Sequence, residues 1–163
     1  MKHKLLTIST VACLGLACLG LSSCSTESNT IANPWTEYFS FNAAKSHSEF
    51  TLDNAPNTYE GETITYTGYL SSVNMSQIIY GDDYCILRKA KVDDEDISGD
   101  YNDYSVVEKT TIDGNKVVLK GNGNKSVDCY NLALWHSGKY SYSISCPNGI
   151  SKKTVAEYME LLK

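Results

Sequence analysis

The cysteine of Leu21-Ser22-Ser23-Cys24 is the side chain best placed for chemistry in this sequence. Two small residues before it leave the Ser23–Cys24 bond open to a peptidase, and a cysteine thiolate is a nucleophile that can be alkylated. The residues upstream prepare that cut. Lys2 and Lys4 give a positive start, and residues 5–21 then run without charge through Leu5, Leu6, Ile8, Val11, Leu14, Leu16 and Leu19. A membrane-spanning helix needs about 20 apolar residues. This run is shorter and ends in small polar residues, the flank of a cleaved export leader. Cys13 and Cys18 serve less well, because Thr10 and Gly15 stand where Leu21 stands before Cys24.

The Leu-Ser-Ser-Cys pattern resembles the lipobox of bacterial lipoproteins, in which the thiol receives a diacylglycerol and the new amino terminus is often acylated as well. The resemblance implies a signal peptide over 1–23, cleavage between Ser23 and Cys24, and lipid attachment at Cys24. One buried acyl chain such as palmitate holds a protein marginally, at about 0.8 kcal/mol per CH₂, whereas two or more hold it stably. The expected location is therefore the extracytoplasmic face of the cell membrane, by covalent lipid. An uncleaved anchor helix, or a leader cut elsewhere, is the alternative.

No other set of residues announces a reaction. Beyond the leader the histidines are His47 and His136, and the sequence has no Gly-x-Ser-x-Gly elbow, no His-Glu-x-x-His pair and no phosphate-cradling loop. Asp93, Asp94, Asp96 and Asp100, beside Gly99, offer oxygens to a hard cation such as Ca²⁺. Their spacing does not suit an EF-hand, and a solvated acidic loop is the simpler reading. Neither a metal nor a cofactor is implied. The tyrosines are more suggestive. Tyr66, Tyr84, Tyr140 and Tyr142 fall on predicted strands, where rings with polar tips can stack on sugars, peptides or lipid chains; the plainer reading is that Tyr is a good strand residue.

Three cysteines remain after the leader and Cys24 are set aside: Cys85, Cys129 and Cys146. A two-residue turn at Ser137-Gly138 places Cys129 opposite Cys146, close enough for a disulfide. A three-residue loop over 136–138 shifts the register by one and instead aligns Leu132 and Leu134 with Tyr142 and Tyr140. Both registers stay open.

The elements that must position these residues follow from charge and periodicity. The chain has 14 Lys and Arg against 19 Asp and Glu. The leader removes Lys2 and Lys4, leaving 12 against 19 and a net charge of −7 with His neutral. Such a domain is repelled by phosphate backbones and anionic headgroups, so nucleic acid is not an expected partner. Residues 24–30 are small and polar and read as a flexible tether, followed by a single domain over 31–163. Ser40 caps a short helix. Residues 63–68 alternate β-branched and aromatic residues with polar ones, and strand patterns recur over 75–80, 84–90, 106–112, 116–120, 127–135 and 140–146. Asp113-Gly114 suits a primed hairpin turn. After Ser151, the residues Val155, Tyr158, Met159 and Leu162 form one helical stripe. The expected architecture is α+β: one antiparallel, twisted sheet of six or seven strands with a helix from each chain end packed on it.

Three segments together resemble a family of Gram-positive lipoproteins and related exported domains whose function is unknown. They are Ile31-Ala32-Asn33-Pro34-Trp35, then Leu87-Arg88-Lys89-Ala90 with Asp96-Ile97-Ser98-Gly99-Asp100-Tyr101-Asn102, and Trp135 with Tyr140-Ser141-Tyr142-Ser143-Ile144-Ser145 leading to Gly149-Ile150-Ser151. The resemblance implies an exported, sheet-rich domain with a closing helix, and no activity. The tether, the single domain and the missing catalytic set point to a non-catalytic binding module that engages an envelope protein, a peptide or a small amphiphile through its sheet. A carrier of acyl chains between sheet and helix is the alternative, and a cell-envelope hydrolase is the third reading.

Overall fold

The computed structural model describes residues 33–162 apart from 53, 83, 94 and 124–127. Ser23, Cys24 and the tether, on which the anchoring expectation rests, lie outside the described residues. In chain order the elements are β1 (Thr36–Glu37), α1 (Phe41–Lys45), β2 (Thr58–Tyr59), β3 (Glu62–Leu70), a 3₁₀ turn (Ser71–Val73), β4 (Met75–Tyr80), β5 (Cys85–Ala90), β6 (Val106–Ile112), β7 (Asn115–Gly121), β8 (Tyr130–Ser137), β9 (Tyr140–Ile150) and α2 (Lys152–Leu161).

The class is α+β, as expected, but the sheet has nine strands among the described residues rather than six or seven. The two extra strands are β1 and β2, which at two residues each carry too little pattern to be read from sequence. The strand order is β1-β3-β4-β5-β9-β8-β7-β6, with β2 also pairing β3, and every pairing is antiparallel. Two meanders, β3-β4-β5 and β6-β7-β8-β9, thus meet along the β5–β9 seam. The expected Asp113-Gly114 turn is present, with φ of 47° and 81° joining Ile112 to Asn115. At the outer edge β6 leaves Val107, Lys109 and Thr111 with backbone groups turned away from β7, because the hydrogen-bonded pairs alternate from the turn.

Residues opposite one another share a face of the sheet. On one face Ile78, Tyr80, Leu87, Ile144, Trp135, Val117 and Leu119 are buried, and α2 lays Val155, Tyr158 and Met159 onto them. The Ser151 side chain accepts from Thr154 N at 3.1 Å, the cap that starts α2. Lys152 ties its first turn to Glu108 of β6 at 2.7 Å. At the other chain end Ser40 caps α1, accepting from Ala43 N at 3.2 Å; the helix has five residues and depends on packing of Ala44.

The opposite face has Gln77, Arg88, Ser143, Leu134 and Val118 in one row. It is not left to solvent. The connection from β5 to β6 must travel past β9, β8 and β7 to the far edge, and it lies down on this face. Arg88 holds it: Nε donates to Gln77 Oε1 at 2.6 Å, and Nη1 donates to the carbonyls of Ile97, at 3.2 Å, and Ser98. Trp35 lies 5.5 Å from the guanidinium. Gly99 has φ of 63°, and a Cβ there would meet Arg88 Nη1 at 2.4 Å, so both its conformation and the space demand glycine.

Within the acidic run Asp93 and Glu95 are exposed, as a solvated loop would have them, while Asp96 and Asp100 are tied into the fold. Asp96 accepts from Ser98 N at 3.0 Å, Ser98 Oγ at 2.6 Å and Lys120 Nζ at 3.1 Å. Asp100 accepts from Asn102 N at 2.9 Å, from Tyr104 and from Ser145. Burial alone would raise both carboxyls, but these hydrogen bonds and the Lys120 charge beside Asp96 outweigh it and hold both below the usual carboxylate range. A lowered folded-state pKa contributes stability that is present above the unfolded value, near 4, and is lost as pH falls through the folded value. The crossover should therefore loosen in acid. Unfolding free energy measured from pH 6 down to pH 2 should fall, and Asp96→Asn with Asp100→Asn should flatten that dependence.

The expected Cys129–Cys146 bond is corrected by the register. The β8–β9 turn is Gly138-Lys139, closed by Ser137 opposite Tyr140, so neither expected register is adopted. Gly138, with φ of 64°, sits at the first central position, where a type II′ turn favours glycine. A bulge between Tyr130 and Leu132, spanning from Ser145 to Ile150 on β9, then carries Cys129 away. Cys146 bonds instead to Cys85, one step beyond the Ile86–Ser145 pair, with 4.3 Å between Cα atoms; Cys129 is free and exposed.

Candidate functional site

The four tyrosines singled out as a binding surface do not share one. Tyr66 sits on the crossover face, its ring folded over Gly68, where a Cβ would come within 2.4 Å of it. Tyr142 is buried on the other face, stacked on Trp135 at 5.0 Å, and donates to Leu162 O at 3.3 Å. Tyr140 packs edge-on against Phe50 at 5.0 Å, with Lys89 Nζ 4.7 Å from its ring. These three are packing residues. Tyr84 belongs to a different group.

That group is centred on Tyr59, which sequence reading missed. The rings of Tyr80, Tyr84 and Tyr158 lie 6.0 to 6.1 Å from it. β2 delivers Tyr59, β4 Tyr80, the turn before β5 Tyr84, and α2 Tyr158. Tyr80 donates to Pro56 O at 2.8 Å and so fixes the loop before β2. Tyr84 donates to Glu60 Oε2 at 2.7 Å. The hydroxyls of Tyr59 and Tyr158 are buried and lack hydrogen-bond partners, although that of Tyr158 lies close to the Tyr80 hydroxyl, whose own proton goes to Pro56 O. A buried polar group left unsatisfied costs about 1–3 kcal/mol.

Above the two rings is an open groove of about 290 Å³. Pro56, Thr58 and Glu60 form one wall, and Thr154, Glu157 and Leu161 of α2 form the other. Its size is close to the lower end, about 300 Å³, of small-molecule pockets. Glu60 holds a left-handed backbone with φ of 48°, beside Gly61 at 93°, in the two-residue turn between β2 and β3. A side chain bulkier than Asn is disfavoured there by about 1–2 kcal/mol, so the turn places a carboxylate at the rim against local preference.

Neither family models, nor curated proteins, nor solved structures match this chain. The site must therefore be judged on its own chemistry. Burial, followed by the Glu60 charge, pushes Tyr59 up to about 12, and burial raises Tyr158 further. Both stay protonated at neutral pH, which suits them to hydrogen bonding and not to base or nucleophile roles. A second constellation needs the same scrutiny. His136 has Asp93 at 3.3 Å from Nε2 and Ser141 Oγ at 3.5 Å from Nδ1. The three residue types are those of a triad, but Ser141 is buried, donates to Val92 O at 3.1 Å and accepts from Glu95 N at 3.2 Å. Its hydroxyl fastens the crossover and is not presented to a substrate. Among the described residues no group of three or more His, Cys, Asp or Glu is arranged to hold a metal.

Tyr158→Phe removes an orphaned hydroxyl and little else. In urea unfolding the variant should be as stable as the parent or about 1 kcal/mol more stable. A loss above about 1 kcal/mol would mean that the hydroxyl is satisfied within the fold.

The sequence carried one half of this site. Tyr158 belongs to the predicted helical stripe, but nothing in the stripe distinguishes a ring that fills the core from one that floors a groove. Tyr59-Glu60-Gly61 carries a tight-turn signal that only its pairing with β3 makes legible.

Proposed function

We propose that this chain is a lipid-anchored lipoprotein of the extracytoplasmic membrane face whose domain is a non-catalytic binding module, with the groove between the β2–β3 turn and α2 as its site. The observation that carries this reading is the pair of buried, unpartnered tyrosine hydroxyls under an open groove, a cost that folding alone does not call for. The tethering half of the reading is supported by the leader and by Leu21-Ser22-Ser23-Cys24. The carrier reading finds less support. Tyr80, Leu87, Ile144 and Val155 fill the space between sheet and α2, and the pocket beside α1, lined by Ala44, Leu52 and Ile78, holds about 10 Å³, no more than one water.

Two measurements test the proposal. Mass spectrometry of the mature amino terminus should find acyl mass on Cys24; an unmodified Cys24 ends the anchoring claim. Thermal unfolding of the full chain in detergent should be run against separate panels of cationic, anionic and neutral small amphiphiles. A ligand at 100 times its Kd adds about 2.7 kcal/mol, a rise in Tm on the order of 5 to 10 °C for a domain of this size. Thr58→Trp, which fills the groove from an exposed strand position, should abolish the rise. If no panel raises Tm, the binding reading falls.

A further inference from the structure

We infer that the groove takes an alkylammonium group carried by a small molecule, an inference that rests on the binding reading above and names its ligand chemistry. The lining decides the charge. It includes two carboxylates, Glu60 and Glu157, and no basic residue. An anion would face both acids, whose present partners are the exposed Lys153, 3.7 Å from Glu157, and the neutral Tyr84 hydroxyl on Glu60. Glu60 is the more telling, because its left-handed backbone keeps a carboxylate where glycine or asparagine would sit with less strain. One of its oxygens accepts from Tyr84, an arrangement that fixes the side chain along the groove.

The floor decides the kind of cation. The Tyr59 and Tyr158 hydroxyls lack partners but are closed to solvent beneath the groove; a small turn of either ring would offer its oxygen to a primary ammonium, whose N–H groups a quaternary one lacks. The ring faces add cation–π attraction, worth more as the cation is desolvated. Pro56 and Leu161, the latter 44% exposed, offer apolar cover to a short alkyl stem. The net charge of −7 beyond the leader raises the local concentration of any cation.

The test uses the full chain in detergent and four probes of matched length: 1,5-diaminopentane, pentyltrimethylammonium, hexanoate and 1-hexanol. Titration calorimetry should detect the diamine, bound at least tenfold more tightly than the other three and weakened as salt is raised. Glu60→Gln with Glu157→Gln should weaken it at least tenfold. Glu60→Gly, which relieves the backbone, should weaken it while leaving the unfolding midpoint unchanged or higher, so a folding defect cannot imitate the result. Tyr158→Phe should weaken it severalfold. Equal or tighter binding of hexanoate, hexanol or the quaternary amine, blocked by Thr58→Trp, would overturn the ammonium inference and leave the groove as a binding site. Failure of the diamine to bind would overturn the inference, and failure of every panel in the thermal experiment would take the binding reading with it.

Discussion

Reduction of the Cys85–Cys146 bond lowers the unfolding free energy by about 4 kcal/mol, the largest change expected of any single alteration to this domain. The cysteines are 61 residues apart, so the bond closes a long loop in the unfolded chain, and loop-closure entropy at that length gives about that figure. Native domains are stable by only about 5–15 kcal/mol. The bond also lies on the β5–β9 seam, which among the described residues is the pairing that joins the two meanders, so reduction weakens the sheet where its halves depend on each other. Urea unfolding with and without reductant checks the size of the effect, with the parent midpoint falling on reduction. Thiol counting in denaturant without reductant should give one free thiol in residues 33–162, from Cys129. Three thiols, or a midpoint indifferent to reductant, would reject the bond.

The second large effect is expected at Arg88. Arg88→Met keeps most of the stem but removes the donors that Ile97 O, Ser98 O and Gln77 Oε1 depend on. Hydrogen bonds from a charged group are worth about 1.5–3 kcal/mol and unsatisfied buried acceptors add to the loss, so about 3 kcal/mol is expected. The loss has a location. Hydrogen exchange should accelerate at residues 95–100 well before it does in β9, because Arg88 holds Ile97 and Ser98 down on the sheet, with Ser141, Lys120 and Ser145 as the remaining ties. Arg88→Lys should recover part of the stability, since an ammonium cannot reproduce the fork that reaches both strand and crossover. A variant with full stability and unchanged exchange would show that Ser141, Lys120 and Ser145 hold the crossover without Arg88.

These two residues show what the sequence made legible. Alternation and turn chemistry located the seven long strands, the Asp113-Gly114 hairpin and both capped helices, because each of those signals acts within a few residues. The disulfide did not follow, since its partner is set by which strand lies beside β9, and the order β5-β9 comes from a crossover with no periodicity of its own. The turn at Gly138-Lys139 and the bulge after Tyr130 each moved the register by amounts that composition does not encode. Ser98, Asn102 and Tyr104, which donate to Asp96 and Asp100, are local, but the donors that tie these carboxylates to the sheet, Lys120 and Ser145, are distant in sequence. The groove was hidden for the same reason: Tyr59 and Tyr158 are 99 positions apart. The three segments that suggested a resemblance turn out to be neighbours, with Trp35 on Arg88, Arg88 on Ile97 and Ser98, and Asp100 accepting from Ser145. These contacts close one face of the sheet, and no residue of the three segments lines the groove.

The outer edge of β6 has a bearing on crowding. Two copies meeting edge to edge in the symmetric antiparallel register would set Lys109 against Lys109, with Val107 facing Thr111 on either side. Like charge at the centre of an open edge opposes that union, and the opposite end of the sheet is shielded because β1 and β2 occupy the flank of β3. Copies packed densely side by side would repel one another at the sheet margins instead of growing into a shared ribbon.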